Sequence, residues 1–162
     1  MGSTIEGDAY HAGTETFRTI VLPSSCILDA NVAAGAAIAT SKMLHRHFWH
    51  FHQDGSAASI TIPVHEVHGA TGSIVALKCG SVVVAIGAAT VTIDLLKNGV
   101  SILTAALVLD SSNTIRVLEA AAIATAALVD GNWLDLQITA AAGGGTLPTD
   151  MLYELIWDED PS

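Results

Sequence analysis

The sequence predicts an all-β protein: an antiparallel β-sandwich or jelly-roll-like barrel with an extended N-terminal arm and a short Ala-rich segment. Three observations point there. From residue 56 onward, short runs rich in Val, Ile, Thr and Leu alternate with turn residues. Thr90-Val91-Thr92-Ile93-Asp94-Leu95 alternates polar and apolar, the period of a half-buried strand. Asn98-Gly99 follows, and both residues readily take the positive φ angles of a type I′ hairpin turn. About eight strands over roughly 100 residues suit that class.

The chain divides into three zones. Residues 1–28 are polar around an apolar insert, Phe17 to Leu22, ended by Pro23, and read as an extended arm or edge strand. Residues 29–55 hold the Ala/Gly-rich run Asn31 to Met43 and then a histidine cluster. Alanine favours helix there, but Gly35 and Thr40-Ser41 interrupt it, so a short helix and a tightly packed irregular segment both fit. Residues 56–162 form the sandwich domain.

Within that domain Ser59 to Val67 is a strand, and Pro63 places it at an edge or a bulge. Ser73 to Leu77 and Val82 to Ile86 are two strands separated by Lys78-Cys79-Gly80. Val100 to Leu109 returns from the Asn98-Gly99 turn. Asp110 to Asn113 turns into a short strand, Thr114 to Leu118. Ala120 to Leu128 reads equally as a helical turn or a loop packed on the sheet. Asp130-Gly131 turns into Asn132 to Thr139, where Trp133, Leu134, Leu136 and Ile138 supply core. Gly143-Gly144-Gly145 reads as a flexible hairpin loop before the last strand, Met151 to Trp157.

Composition narrows the function. Hydrophobic residues make up 51% and charged residues only 14%, against a usual charged share of about 25%. A surface so poor in charge implies cover by partner subunits. No run of about 18 apolar residues suggests a membrane span, and Met1 to Ile20 does not read as a secretion signal. Cys26 and Cys79 are expected as free, buried thiols. The net charge is −10, and no Lys or Arg follows Arg116. Nucleic acid is therefore excluded as a direct partner, because phosphate binding needs clustered cations. The Asp158-Glu159-Asp160 run reads as a solvated tail rather than a cation site.

Six of the seven histidines lie between positions 45 and 68. His45-x-His47 and His50-x-His52 each put two imidazoles on one strand face, but the two pairs face opposite ways on a regular strand. No carboxylate stands at metal-motif spacing beside them. His65-Glu66-Val67-His68 is one residue short of a zincin signature. No Gly-x-Ser-x-Gly elbow and no phosphate-binding glycine loop occur. These readings assign no catalytic residue, no metal and no cofactor, and imply that the chain is not an enzyme. The alternative is assembly. Lys42, His45, His47, Trp49, His50 and His52 are the candidate seam of a homotrimer, where stacked imidazoles meet near a symmetry axis. Acid is then expected to loosen it by like-charge repulsion.

Two segments carry a resemblance. Gly35-Ala36-Ala37-Ile38-Ala39-Thr40-Ser41-Lys42-Met43 resembles segments of phage fibre and virion proteins. Thr90 to Gly99, with Leu107-Val108-Leu109-Asp110-Ser111 and Gly144-Gly145-Thr146-Leu147-Pro148, is similar to β-rich structural proteins of tailed phages. These include capsid cement (decoration) proteins and head or tail fibres. The resemblance spans roughly residues 30–160 and transfers no catalytic residue. It implies a non-enzymatic virion protein, often trimeric, on the capsid surface and in the host cytoplasm during assembly. It also implies an arm that contacts the major capsid protein, for which Phe17, Ile20, Val21 and Leu22 are the candidates. A fibre or receptor-binding tip that holds carbohydrate is the second expectation, and a metal-dependent enzyme the third.

Overall fold

The computed structural model describes residues 45–68 and 71–159. Phe17, Ile20, Val21, Leu22, Lys42 and the whole Ala/Gly-rich run lie outside the described residues, as does Cys26. Among the described residues ten strands follow in order: β1 His45–Ser56, β2 Ile60–Glu66, β3 Gly72–Val83, β4 Thr90–Lys97, β5 Val100–Ser101, β6 Leu107–Leu109, β7 Glu119–Ala120, β8 Ala127–Leu128, β9 Trp133–Ala141 and β10 Thr149–Glu159. They build two antiparallel sheets packed as a sandwich. One sheet runs β1-β10-β3, with β7 and β8 both pairing the far edge of β3. The other runs β2-β9-β4, with β5 and β6 on the far edge of β4.

Alternation explains the layering. Met151, Tyr153, Leu155 and Trp157 of β10 are buried, as are Leu77 and Cys79 of β3. Facing them across the sandwich are Leu134, Leu136 and Ile138 of β9 and Val91, Ile93 and Leu95 of β4. Successive side chains on a strand point to opposite faces, so each of these sets commits its strand to one orientation. Burial at this scale, about 25 cal/mol per Å² of apolar surface, is the main stabilising term.

Several expectations hold. Asn98 and Gly99 have φ angles of 52° and 78°, as a type I′ turn requires. Pro63 lies on an edge strand, and the β2–β9 register shifts between Pro63 and His65. In the Asp110 turn the amide of Ser112 donates to Asp110 Oδ1 at 2.8 Å, and the Asp110 amide to Asn113 Oδ1 at 2.6 Å. Cys79 is free and buried, and burial pushes its thiol up to about 12.

Other elements differ, each for a physical reason. Lys78-Cys79-Gly80 does not break the chain, and β3 is one strand from Gly72 to Val83. Gly80 is there because the Val117 carbonyl lies against its Cα, where a side chain would clash. The strand expected at Thr114 to Leu118 is instead a turn: Arg116 has φ 59° and its amide donates to the Ser81 carbonyl at 2.9 Å. The return strand Val100 to Leu109 is split, because Ile102 and Leu103 leave the ladder to enter the core. Gly143 to Gly145 is not a hairpin loop, since β9 and β10 belong to different sheets and this segment carries the chain between them. Trp133 does not supply core. It sits on the odd parity of β9, opposite in sense to Leu134, Leu136 and Ile138, and is 44% exposed.

His45–Ser56, grouped in the sequence with the Ala/Gly-rich run, is a full member of the first sheet, pairing β10 from His45↔Glu159 to Ser56↔Thr149.

Candidate functional site

Among the described residues β1 and β2 are the end strands of the two sheets, and they are joined by only three residues, Ala57 to Ser59. The link is tight. The Ala57 amide donates to the Pro148 carbonyl at 2.9 Å. Gln53 clamps Ala58, accepting its amide at 2.9 Å and donating to its carbonyl at 3.1 Å. The two edges therefore flank one side of the sandwich, and the histidines gather there.

The register assigns each histidine a face. His47 lies opposite Trp157, whose side chain points into the sandwich, so His47, Trp49 and Phe51 share the inner side of β1. His50 and His52 lie opposite Glu154 and Leu152 on the outer side. His45, exposed, lies opposite Glu159.

On the inner side the rings form a column. His47 stacks on Trp157 with centroids 5.1 Å apart and planes 11° from parallel. Trp49 stacks on Phe51 at 6.0 Å, and Phe51 meets Tyr153 at 5.7 Å. From the opposite sheet, His65 of β2 reaches Trp157 at 4.9 Å and His47 at 6.0 Å. Glu159 joins the two edges: its Oε1 is 2.7 Å from His65 Nε2 and its Oε2 is 3.1 Å from His47 Nε2. The first is a hydrogen bond. The second is close enough for an ion pair, but the His47 nitrogen makes no hydrogen bond of good geometry. Aromatic pairs of this kind add about 0.5–1.5 kcal/mol beyond burial.

On the outer side the first sheet is banded across its strands. Arg46 grips Asp158 with both ends of its fork, Nε to Oδ1 at 2.7 Å and Nη2 to Oδ2 at 2.8 Å. The guanidinium hydrogen bond holds the Asp158 carboxyl below its ordinary range, and the carboxylate raises Arg46 in turn. The next band is apolar: Phe48, 61% exposed, lies opposite Ile156, which lies opposite Ala76. The third sets Glu154 between Lys78 at 3.0 Å and His50 at 3.2 Å, and the Lys78 hydrogen bond, then that of His50, keeps Glu154 low. The acidic run at the end of the sequence is thus no solvated tail at Asp158 and Glu159. β10 extends to Glu159 and inserts both acids among cations and imidazoles.

Three side chains close enough to ligate one ion are His52, Asp54 and Asp150, with ligand atoms within 4.8 Å of one another. Hydrogen bonding already accounts for Asp150, which accepts from the Gly55 amide at 2.8 Å and the Thr149 hydroxyl at 3.1 Å.

The sequence singled out His45, His47, Trp49, His50 and His52 without their partners. It left His65 at a failed metal motif and did not pair Arg46, Lys78, Glu154, Asp158 or Glu159. The period-2 placement of Glu154 and Asp158 on one face of β10 was the available signal, but the partner strand follows only from the register.

Burial raises the Tyr153 phenol, with the neighbouring Cys79 adding to it, and among the described residues its hydroxyl has no hydrogen-bond partner. A buried hydroxyl without a partner carries a desolvation cost of about 1–3 kcal/mol, which its removal relieves. Tyr153→Phe is therefore expected to keep stability within about 1 kcal/mol of the parent, or raise it, in urea unfolding. A loss of 2 kcal/mol or more, on the order of a broken buried hydrogen bond, would reveal a partner for that hydroxyl.

No protein-family model matches the chain, and none of the curated proteins compared with it matches either.

Proposed function

We propose that the chain is a structural virion protein, a cement protein that sits on a phage capsid, self-associates and bridges neighbouring capsomers. The observation that carries the reading is the outer face of β1-β10-β3, where an apolar band, exposed at Phe48 and half-buried at Ile156 and Ala76, lies between two bands of mutually neutralised charge. Such a face presents apolar area with little unpaired charge to desolvate, as contact surfaces do. The histidine and aromatic column supports it by holding the two sheet edges together beneath that face. The similarity of Thr90 to Gly99 and of the Ala/Gly-rich run to tailed-phage structural proteins supplies the class. The major capsid protein is the partner, reached by the arm through Phe17, Ile20, Val21 and Leu22. A standard interface of about 1,600 Å² has ample gross drive, and attachment at several points multiplies it.

A second reading has its own observation. Trp133 is exposed on β9 beside a shallow concavity lined by Pro63, Val64, His65, Glu66 and His68. An aromatic platform flanked by polar groups suits a sugar ring, as in a receptor-binding tip.

One experiment separates them. The full chain is expected to bind bare capsids and the variant lacking residues 1–28 to lose that binding. Full binding by the truncated chain sinks the arm mechanism. Binding to a glycan array with none to capsids favours the tip, most sharply if Trp133→Ala abolishes it.

A further inference from the structure

We propose that the free edge of β1 pairs antiparallel with β1 of a second copy, about a two-fold axis that passes through His50. The inference rests on the reading of β1 as an assembly seam and gives that seam a geometry. β1 is bonded on one side to β10, and among the described residues nothing pairs with its other edge. An open edge presents a row of amide and carbonyl groups ready to accept another strand. Natural edges are blunted by shortness, proline or lysine. β1 runs 12 residues with no Pro and no Lys, and its charged residues Arg46 and Asp54 stand toward its two ends. Its ladder with β10 is regular from His45 to Gln53, and the register shift that follows takes in Asp54 and Gly55.

Parity and charge select the register. Directly opposed residues of an antiparallel pair share a face, so even positions must meet even positions if the outer surface is to continue. With His50 opposite the partner's His50, Arg46 stands opposite the partner's Asp54, twice by symmetry. Phe48 then faces the partner's His52, and on the inner side Trp49 faces the partner's Phe51. Asp54 is 91% exposed at its side chain and lies 3.0 Å from His52 Nδ1 of its own strand, and a carboxylate has two oxygens, so it can hold His52 and still reach across. Arg46 gives two of its nitrogens to Asp158 but carries five N–H donors, so it can serve both acids. Centring the pair on Trp49 instead sets Arg46 against the partner's His52 and leaves the guanidinium with no opposing acid. The chain carries a net charge of −10, which opposes the approach of two copies over most of the surface. A contact that sets cation against acid twice meets the least opposition.

This two-fold pair is a different object from the ring of three imidazoles expected at a trimer axis. Cross-linking tells them apart. In a Cys26→Ala background, where Cys79 is buried, His50→Cys is expected to form a two-chain disulfide under mild oxidation. Opposed Cβ atoms in such a pair are only about 4.5–5.5 Å apart. His52→Cys, two residues off the axis, is expected to stay single-chain. Light scattering should give a two-chain mass for the parent. Asp54→Lys, at a fully exposed position, should weaken the pair by about tenfold or more. A three-chain mass, or equal cross-linking at positions 50 and 52, overturns the two-fold pairing while β1 remains a seam. A chain that stays single and still binds capsids overturns the pairing and leaves the cement reading standing.

Discussion

Trp157→Ala is expected to destabilise the sandwich by about 3–5 kcal/mol, the range for truncating a buried aromatic. Trp157 is 5% exposed and stands where three elements meet: it lies on β10, stacks on His47 of β1 and touches His65 of β2. Its removal opens a cavity between the two sheet edges rather than within one sheet. Urea unfolding measures the loss. Amide hydrogen exchange should place the extra opening in β1 and β2, ahead of β4 and β9, because core strands open last. Trp133→Ala is the control, since Trp133 is largely outside and surface changes usually stay within about 0.5 kcal/mol. Equal losses from the two substitutions would remove the edge column from the account of stability.

The second large effect is on acid stability. Asp158 and Glu154 are both held below the ordinary carboxylate range, by Arg46 and by Lys78 with His50. The unfolded chain therefore binds protons at a higher pH than the folded chain does. By linkage, their contribution is fully present above the unfolded values, near pH 4, and disappears as pH falls through the lower folded values. Melting temperature is expected to stay level from pH 7 to about pH 5 and to fall steeply below about pH 4. The double variant Glu154→Gln with Asp158→Asn should flatten that fall. The expectation from sequence concerned the oligomer, which acid is to loosen by repulsion between clustered imidazoles. Within a chain, however, His47, His50, His52 and His65 each have a carboxylate oxygen within 3.2 Å, so protonating them adds attraction. A melting temperature that drops through pH 6–7, where imidazoles ordinarily titrate, would return the response to the histidines.

The histidine run illustrates what a linear reading can reach. That His45 and His47 face away from His50 and His52 follows from the period of a strand alone. What each face meets does not. His47 lies 110 residues before its stacking partner Trp157, and its apposition depends on which strand β1 pairs with and in what register. Trp133 marks the same boundary from the other side. Its hydrophobicity suggested core, yet one step of parity against Leu134 and Leu136 put it outside. The acidic end marks it a third time. Asp158 and Glu159 look like a solvated tail until β10 is extended to Glu159 and the acids are set against Arg46, His47 and His65.

The sequence by itself determined the class of fold, the Asn98-Gly99 turn, the edge position of Pro63 and the commitment of β4 to one buried face. All of these are local: they rest on side-chain period, on φ preferences or on a missing amide. Only the tertiary structure decided that Lys78-Cys79-Gly80 runs through a strand, that the chain crosses between sheets at Gly143 to Gly145, and that Glu159 ties two histidines from different sheets. These depend on long-range strand pairing. Its free energy comes from cores and cross-strand contacts assembled from distant segments, and no local pattern carries it.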